Sequence, residues 1–454
     1  MPRASYGTLE DEEGDRGGLQ EMRRKAAEEE EHVSLWKILA LNAHAFSYGL
    51  FYASVGVIVL PEEALKMFPQ QHAIYLAVML GIAGVSQLVS PFAGYLSDHS
   101  TNSMGRRMPF VLAGNGVLFC MVGCLYLARS MGWGLVYLFL LLIAILALNV
   151  AYTGFTGLVS DMIPADQMSV CSGIMGGCTA MGAVVGLICI GFLLPVEHAY
   201  FLYAVTLAIC TPLTWYAANE RRHDCASSEI DWKKVRSAYL ISPSSHGDFF
   251  WVFISRMFYY MAVSVQIYIL YYLRDVMTEQ IVVDNAKSCT AILCIVSQGS
   301  SGLVSLVAGT LADRTGRKPA IYTAVTVMAL VYIGYCFVDT YSMVILLGIC
   351  YGAGNGIYIS VDYALAVECL PSQESDGAKD LALWGVAAFL GTMFGPCVAG
   401  PLLAWLGYQP GSEHYAFIGY VGIMMCGVLY CIGCGSALLF VSKGNAPRLS
   451  RQSR

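Results

Sequence analysis

The chain has 454 residues, of which 57% are hydrophobic and only 13% are charged, with a formal net charge of −6. The charged share is about half that of a typical soluble domain. This composition excludes an ordinary soluble fold, because such a fold cannot bury that much apolar surface, and it indicates that most of the chain faces lipid. The net negative charge gives no support for a nucleic-acid partner.

In chain order, an acidic and polar stretch comes first, and we expect residues 1–33 to form a disordered cytosolic tail. Six hydrophobic segments follow in 34–218, a polar central loop in 219–248, six more segments in 249–441, and a basic tail in 442–454. A membrane helix needs about 20 apolar residues. The sequence therefore predicts an all-α membrane protein with about twelve transmembrane helices in two six-helix bundles. The predicted helices lie near 35–60, 72–97, 108–129, 133–158, 169–195, 199–218, 249–273, 287–311, 319–338, 341–366, 378–404 and 415–441.

The distribution of Lys and Arg predicts the orientation. If the amino terminus is cytosolic, the outer loops carry only Lys66, Arg129, Arg274 and Lys287. Because positive charge is retained on the cytosolic side, we expect both termini inside. The sequence predicts an integral multi-pass protein that functions as a monomer, but it does not distinguish the plasma membrane from an organelle membrane. Tyr271 and Tyr272, near a segment end, are expected to be interface anchors.

A charged hairpin occurs once in each half, with the two copies about half the chain length apart. Each copy has a glycine and an acidic residue at the end of one hydrophobic segment and a basic cluster before the next. The first copy contains Gly94, Asp98, Gly105, Arg106 and Arg107, and the second contains Gly309, Asp313, Arg314, Gly316, Arg317 and Lys318. We predict that these residues form a conformational latch and also serve as positive-inside anchors. Two six-helix halves in parallel topology indicate a secondary transporter.

These hairpins resemble the signature hairpin of the major facilitator superfamily, and the resemblance covers about 35–441. It implies that the hairpin stabilises the outward-open state and that the first, fourth, seventh and tenth helices line a central cavity. Gly105-Arg106-Arg107-Met108-Pro109-Phe110 is also similar to a sequence of proton-coupled sucrose and glycoside transporters. Asp161-Met-Ile-Pro164 and Tyr271-Tyr272-Leu-Arg-Asp275 resemble prokaryotic relatives of that group.

Polar residues at helical spacing predict the substrate site. Tyr351, Asn355, Tyr358 and Asp362 fall within roughly 60° of one another at about 100° per residue, which makes a narrow polar stripe in the tenth segment. Hydroxyls, amides and aromatic faces suit a neutral polyhydroxylated solute. The remaining candidates that we expect to line the site are Asn42, Tyr48, Tyr52, Asn149, Tyr152, Tyr259, Tyr260 and Gln266.

Three ionisable residues are candidates for ion coupling. A charge at the centre of a membrane helix costs about 2.5–3.5 kcal/mol on insertion scales, which draws attention to Asp362 and Arg256. Coupling and a structural ion pair between the two remain alternatives. His44 is the third candidate because imidazole titrates near neutral pH, and packing within the helix bundle is its alternative role.

The sequence therefore predicts a secondary active transporter that couples a proton gradient to symport of a sugar or glycoside by alternating access. One alternative is a carrier of an organic anion or amino-acid-like solute with Arg256 as counter-ion. Another is a transporter-like receptor that binds a solute without moving it. Enzymatic motifs such as HExxH, a P-loop or a nucleophile elbow are absent, so we predict no enzyme activity. The 16 cysteines lie mostly in apolar segments, so we expect neither a metal site nor a cofactor.

Overall fold

A computed structural model describes residues 33–102, 104–164, 167–218, 247–369 and 377–444. The predicted tail at 1–33 lies outside the described residues except for Val33. Most of the predicted central loop at 219–248 and most of the predicted tail at 442–454 also lie outside them. All regular secondary structure in the described residues is helical, which confirms the predicted all-α class.

Twelve long helical segments, each written here from its first to its last residue, run through the described chain. They are α1 Leu35–Met67, α2 His72–Asp98, α3 Met108–Ser130, α4 Gly134–Met162, α5 Val170–Leu193, α6 Val196–Ala217, α7 Gly247–Asp275, α8 Ala286–Thr315, α9 Arg317–Tyr335, α10 Tyr341–Cys369, α11 Gly377–Leu406 and α12 Phe417–Leu439. Eleven of them are long and apolar enough to cross a membrane, α11 by its part Trp384–Leu406. The remaining helix, α9, has 19 residues and corresponds to the predicted segment near 319–338.

Four of the described segments contain a local change in helix type. A π-helical turn covers Val55–Val59 in α1 and another covers Cys189–Leu193 in α5. A 3-10 turn covers Val196–His198 at the start of α6, and another covers Gln266–Tyr268 in α7. Such turns break the regular backbone hydrogen-bond pattern and are frequent at functional sites. The turns in α1 and α7 both lie where the two halves face each other.

Glycines allow equivalent helix pairs in the two halves to pack closely. A Cβ atom added at Gly182 of α5 would lie 2.0 Å from the Phe46 carbonyl oxygen of α1, so only glycine fits this contact. In the second half, a Cβ at Gly391 of α11 would lie 2.5 Å from the Met257 carbonyl oxygen of α7. Small residues permit this close packing in lipid, where hydrophobicity does not drive helix association. The pairs α1–α5 and α7–α11 are thus repeats of one packing unit.

The charged hairpins lie at one end of the bundle, called here the hairpin end, and the opposite end is the far end. At the far end the Tyr271 hydroxyl donates to the Pro61 carbonyl at 2.9 Å, and the Ser288 hydroxyl donates to the Gly191 carbonyl at 2.7 Å. Both bonds join the first six helices to the last six. The far end is therefore held closed by direct contacts between the halves.

Helices α5 and α8 separate toward the hairpin end. A Cβ at Gly191, near the far end of α5, would lie 2.5 Å from the Ala291 Cβ of α8. Nearer the hairpin end, a Cβ at Gly173, Gly176 or Gly299 would meet nothing within 4 Å. The interface between the halves is thus more open at the hairpin end than at the far end.

Candidate functional site: a cavity between the two halves

A cavity of ≈ 360 Å³ lies between the two halves, beside the irregular turns of α1 and α7. Six residues predicted from the sequence line it, two from the first half and four from the second: Tyr52, Asn149, Tyr260, Gln266, Tyr351 and Asn355. Among the described residues that line the cavity, none is Asp, Glu, Lys, Arg or His. The wall is therefore apolar and aromatic with neutral amides and hydroxyls, a composition common in sites for small molecules.

The cavity wall is wider than the four helices that the resemblance implied. Residues of α2, α5, α8, α9 and α11 also contribute, and the polar ones are Gln87, Ser297, Gln298, Tyr335 and Thr392, together with Ser264 of α7. Except for Ser264, these residues are missing from the predicted site because only the first, fourth, seventh and tenth segments were expected to line it. The sequence feature that could have identified some of them is a single glutamine within an otherwise apolar helix, as in α2 and α8.

Three polar groups in the cavity wall have no well-formed hydrogen bond in the described part of the chain. They are the Gln266 side-chain nitrogen and the hydroxyl groups of Tyr335 and Tyr351. A buried polar group without a partner costs about 1–3 kcal/mol. Because all three belong to one cavity, a solute or water that bonds to them would recover this free energy.

Tyr259 and Tyr358, both predicted to contact substrate, lie behind the wall. Their rings stack with centroids 3.4 Å apart, and the Tyr259 hydroxyl donates to the Asn355 side-chain oxygen. The Asn355 amide nitrogen in turn donates to the Ser301 hydroxyl at 3.2 Å. These contacts orient Asn355, which does line the cavity, so Tyr259 and Tyr358 support the wall.

Tyr48 and Tyr152 form an aromatic cluster in the first half, and neither is part of the cavity wall. Their rings stack with centroids 4.0 Å apart, and the Tyr48 ring lies 5.6 Å from that of Tyr52. Only Tyr52 of this cluster reaches the cavity. The role predicted for Tyr48 and Tyr152 as substrate contacts stays a prediction.

Asn42 and His44 are buried within the first half. The Asn42 amide donates to the Ile38 carbonyl at 2.8 Å. One ring nitrogen of His44 lies 3.2 Å from the Asn115 amide nitrogen, and the His44 ring packs 4.9 Å from that of Phe155. The structure therefore places both residues in the interior of the helix bundle and outside the cavity wall.

Arg256 and Asp362 form a buried ion pair between the cavity and the hairpin end. Arg256 is 8% exposed and Asp362 is 4% exposed. The Arg256 guanidinium also lies over the Trp384 ring, 3.3 Å from its centroid, and bonds to the Tyr260 hydroxyl at 3.4 Å. Tyr260 lines the cavity, so this side chain lies between the ion pair and the cavity.

In the first hairpin, two arginines bond to one carboxylate at the end of α4. Arg106 contacts Asp161 at 2.6 Å and 2.9 Å, and Arg107 contacts it at 3.0 Å. Arg107 also pairs with Asp98 at the end of α2, where a carboxylate would otherwise face the negative end of the helix dipole. Gly105 has φ +98°, a conformation that favours glycine. The hairpin is thus bonded to helices of its own half.

The second hairpin repeats this arrangement. Arg317 contacts Glu368, at the end of α10, at 2.9 Å and lies 3.9 Å from Asp313. Gly316 has φ +101°, which matches Gly105 in the first copy. Asp161 and Glu368 occupy equivalent places in the two halves. The sequence repeat could therefore have identified them as the carboxylates that accept hydrogen bonds from the hairpin arginines.

The two other glycines of the predicted latch, Gly94 and Gly309, leave room for a side chain. A Cβ atom added at either position would have at most ordinary contacts, the nearest atoms being 3.5 Å and 4.0 Å away. Arg314 is exposed. The latch role of the hairpins stays a prediction.

The far end contains buried ionic contacts that the sequence did not predict. Glu63 is fully buried and bonds to Arg129 at 2.5 Å, although the sequence predicts that Arg129 lies in an outer loop. Asp275 accepts from Arg274 at 2.8 Å and from the Tyr420 hydroxyl at 2.5 Å. Each buried carboxylate therefore has a cationic partner.

The expectation that Tyr271 and Tyr272 anchor the protein at the membrane interface is wrong. Both residues are fully buried. Tyr271 bonds to Pro61 across the two halves, as described above, and the Tyr272 hydroxyl donates to the Tyr335 carbonyl at 2.8 Å. Each hydroxyl finds a backbone acceptor inside the protein, so neither needs to reach the lipid headgroups.

The comparison with known structures gives the same architecture. A mutant form of the nucleoside transporter NupG superposes with a TM-score of 0.68 at 14% identity, covering 90% of this chain and 100% of that one. A POT family transporter in complex with a thioalcohol-conjugated peptide gives a TM-score of 0.67 at 11% identity and covers 89% and 96%. A bacterial homolog of the human lysosomal transporter Spinster, inward-facing and unoccupied, gives 0.62 at 12% identity and covers 90% and 97%. At these identities the likeness shows the fold alone.

The apolar helices of the described chain and the family match together identify an integral multi-pass membrane transporter rather than an enzyme. The family model of the Major Facilitator Superfamily matches residues 43–371 and 252–453, so the chain belongs to that superfamily.

The buried ion pair generates a prediction about stability. Asp362→Asn should lower the free energy of unfolding in detergent by about 3–5 kcal/mol, because it leaves Arg256 charged and buried without its partner. The double variant Arg256→Gln/Asp362→Asn should recover part of this loss, since neither charge remains. Denaturant titration of the purified protein measures both. A single variant as stable as the wild type would show that the pair contributes nothing to the fold.

Proposed function

We propose that this transporter moves an uncharged polar solute, a sugar or glycoside, by alternating access between its two six-helix halves. The supporting observation is the cavity between the halves, whose described lining contains no Asp, Glu, Lys, Arg or His. A charged solute in such a site would lose its hydration without gaining a counter-ion. A neutral solute with several hydroxyl groups could bond to Gln266, Tyr335 and Tyr351 and stack its apolar face on the tyrosine rings.

The alternative substrate, an organic anion or amino-acid-like solute with Arg256 as counter-ion, has weaker support. Arg256 already bonds to Asp362 and is not part of the cavity wall. An anion could reach it only by displacing both Asp362 and the Tyr260 side chain. One structural neighbour is named for nucleosides and another was solved with a peptide conjugate, so the fold itself favours neither class of solute.

We further propose that a proton gradient drives uptake. Asp362 is the first candidate for the coupling site because its partner Arg256 bonds to Tyr260, so a solute that moves Tyr260 would change the contacts of the ion pair. His44 is the second candidate, and it is more remote because it lies inside the first half. The hairpin end and both termini are assigned to the cytosol on the distribution of positive charge. The open side of the cavity would then face inward.

Uptake into proteoliposomes tests this function. With an imposed inward proton gradient, the wild type should accumulate one or more neutral sugars or glycosides above the external concentration. A collapsed gradient or a sodium gradient should not support accumulation. The panel should include organic acids and amino acids as competing substrates.

Variants separate transport from coupling. Gln266→Leu should reduce both uptake and exchange by removing a cavity group, about tenfold if one hydrogen bond to the solute is lost. Asp362→Asn should abolish accumulation while preserving exchange. Accumulation at the wild-type level in Asp362→Asn would exclude this residue as the coupling site. Solute binding without accumulation in the wild type would instead support a receptor.

The hairpins are proposed to act as a latch on the cytosolic face. The paired contacts of Arg106 and Arg107 with Asp161 and of Arg317 with Glu368 support this role, because each joins a hairpin to the end of α4 or α10. A change in the relative position of these helix ends would stretch the ion pairs. The latch would thereby favour one conformation over the other.

Cysteine labelling of the two ends tests the latch. Arg107→Ala removes contacts to both Asp98 and Asp161, and it should change the labelling rates of single cysteines at the hairpin end and the far end in opposite directions. Lys66→Ala is the control, because it removes an exposed positive charge that lies outside both hairpins. Unchanged labelling in Arg107→Ala would leave the hairpin with only an anchoring role.

A further inference from the structure

The chain that follows α12 folds back over the second hairpin. Residues Val441–Gly444, called here the strap, contact the beginning of α7, the beginning of α9 and the end of α10. The Ser442 hydroxyl donates to the Asp248 carboxylate at 2.5 Å, and the Ser442 backbone nitrogen donates to the same carboxylate at 2.8 Å. The Lys443 ammonium donates to the Glu368 carbonyl at 3.0 Å. The strap therefore joins three helices of the second half at the hairpin end.

The strap also caps the first turn of α9. The first N–H groups of a helix have no partner within it, and α9 has no side-chain cap. The Gly444 carbonyl accepts from the backbone nitrogens of Arg317 at 3.0 Å and Lys318 at 3.1 Å, and the next residue, Pro319, has no N–H to satisfy. The strap thus supplies the cap that the hairpin sequence itself lacks.

Two further contacts fix the strap in place. The buried Lys318 ammonium donates to the Val441 carbonyl at 2.7 Å. Gly444 has φ +88°, and a Cβ there would lie 2.8 Å from the Leu365 side chain and 3.1 Å from that of Lys318. The backbone conformation at 444 favours glycine, and a larger residue there would also displace the Leu365 side chain. The strap geometry is therefore specific to these residues.

We propose that the strap is a releasable clamp on the second hairpin and that Ser442 is its release site. Ser442 is exposed, and its hydroxyl bonds to a carboxylate, so negative charge on this oxygen would be repelled by Asp248. Phosphorylation is the modification that would place such charge: a protein kinase would transfer the γ-phosphoryl group of ATP to the Ser442 oxygen, with loss of the hydroxyl proton and release of ADP. Release of the strap would uncap α9 beside Arg317 and so loosen the second copy of the latch.

A native cysteine reports whether the strap is closed. Cys369 is 3% exposed and follows Glu368, whose carbonyl is held by Lys443 of the strap. Opening of the strap should expose the Cys369 thiol to a maleimide reagent, and mass spectrometry of the labelled peptide separates it from the other cysteines. Labelling of the full-length protein in detergent does not depend on transport, on the solute or on orientation in the membrane. A failure of the proposed function would therefore be distinguishable from a failure of the strap.

Variants test whether charge at Ser442 opens the strap. Ser442→Glu should raise the Cys369 labelling rate about tenfold. This corresponds to a free energy of local opening that is lower by about 1.4 kcal/mol. Ser442→Ala, the matched control without added charge, should change the rate much less. Asp248→Asn/Ser442→Glu should label more slowly than Ser442→Glu alone, because the repelling carboxylate is removed.

Gly444→Ala provides an independent test, since it displaces the cap without changing any charge, and it should also raise Cys369 labelling. Unchanged labelling in both Ser442→Glu and Gly444→Ala would overturn the proposed clamp. Equal increases in Ser442→Glu and Ser442→Ala would overturn Ser442 as a site of release by charge.

Discussion

The cost of burying a charge in an apolar medium governs the arrangement of this protein. Arg256 pairs with Asp362, Arg129 with Glu63, and Asp275 accepts from Arg274 and a tyrosine hydroxyl. In each pair the attraction between the partners offsets the cost of removing both charges from water, whereas an isolated buried charge would have no such compensation. These pairs lie toward the two ends of the helices. The described lining of the cavity between the halves contains no Asp, Glu, Lys, Arg or His, which is the basis of the proposal that the solute is uncharged.

The same constraint shapes the parts that are proposed to move. The hairpin arginines bond to carboxylates at the ends of α4 and α10, outside the apolar wall of the cavity. Within each half, glycines such as Gly182 and Gly391 lock pairs of helices together at backbone contact. Such tightly packed helix pairs favour movement of one half against the other, while the ends of α4 and α10 can shift relative to the hairpins that contact them. The 3-10 turn in α7 places Gln266, whose side-chain nitrogen has no well-formed hydrogen bond in the described part of the chain, where the halves meet.

The sequence predicted the number of helices, the twofold repeat and the superfamily, because hydropathy and repeated motifs depend on local patterns. It also correctly predicted that Tyr351 and Asn355 line the cavity, since helical spacing decides which residues share a face. The same spacing placed Tyr358 on that face, but the structure covers it with the Tyr259 ring. Which part of a helix face remains uncovered depends on neighbouring helices, and a single segment carries no information on them.

Contacts between distant segments could not be predicted for the same reason. Tyr271 has the position of an interface anchor in its own segment, yet it bonds to Pro61 in the other half. Arg129 has the position of a loop charge, yet it pairs with the buried Glu63. The strap depends on a Gly444 carbonyl that meets the start of α9 only after the whole second half has folded. Such long-range pairs require the tertiary structure.

Solute selectivity tests the central claim most directly. Matched pairs of solutes that differ only by one charge, such as a pyranoside and the corresponding uronate, can be compared by calorimetric titration of the purified protein. If the cavity accepts uncharged solutes, the neutral member should bind at least about tenfold more tightly, a difference of about 1.4 kcal/mol. Equal or tighter binding of the charged member across the set would contradict the account.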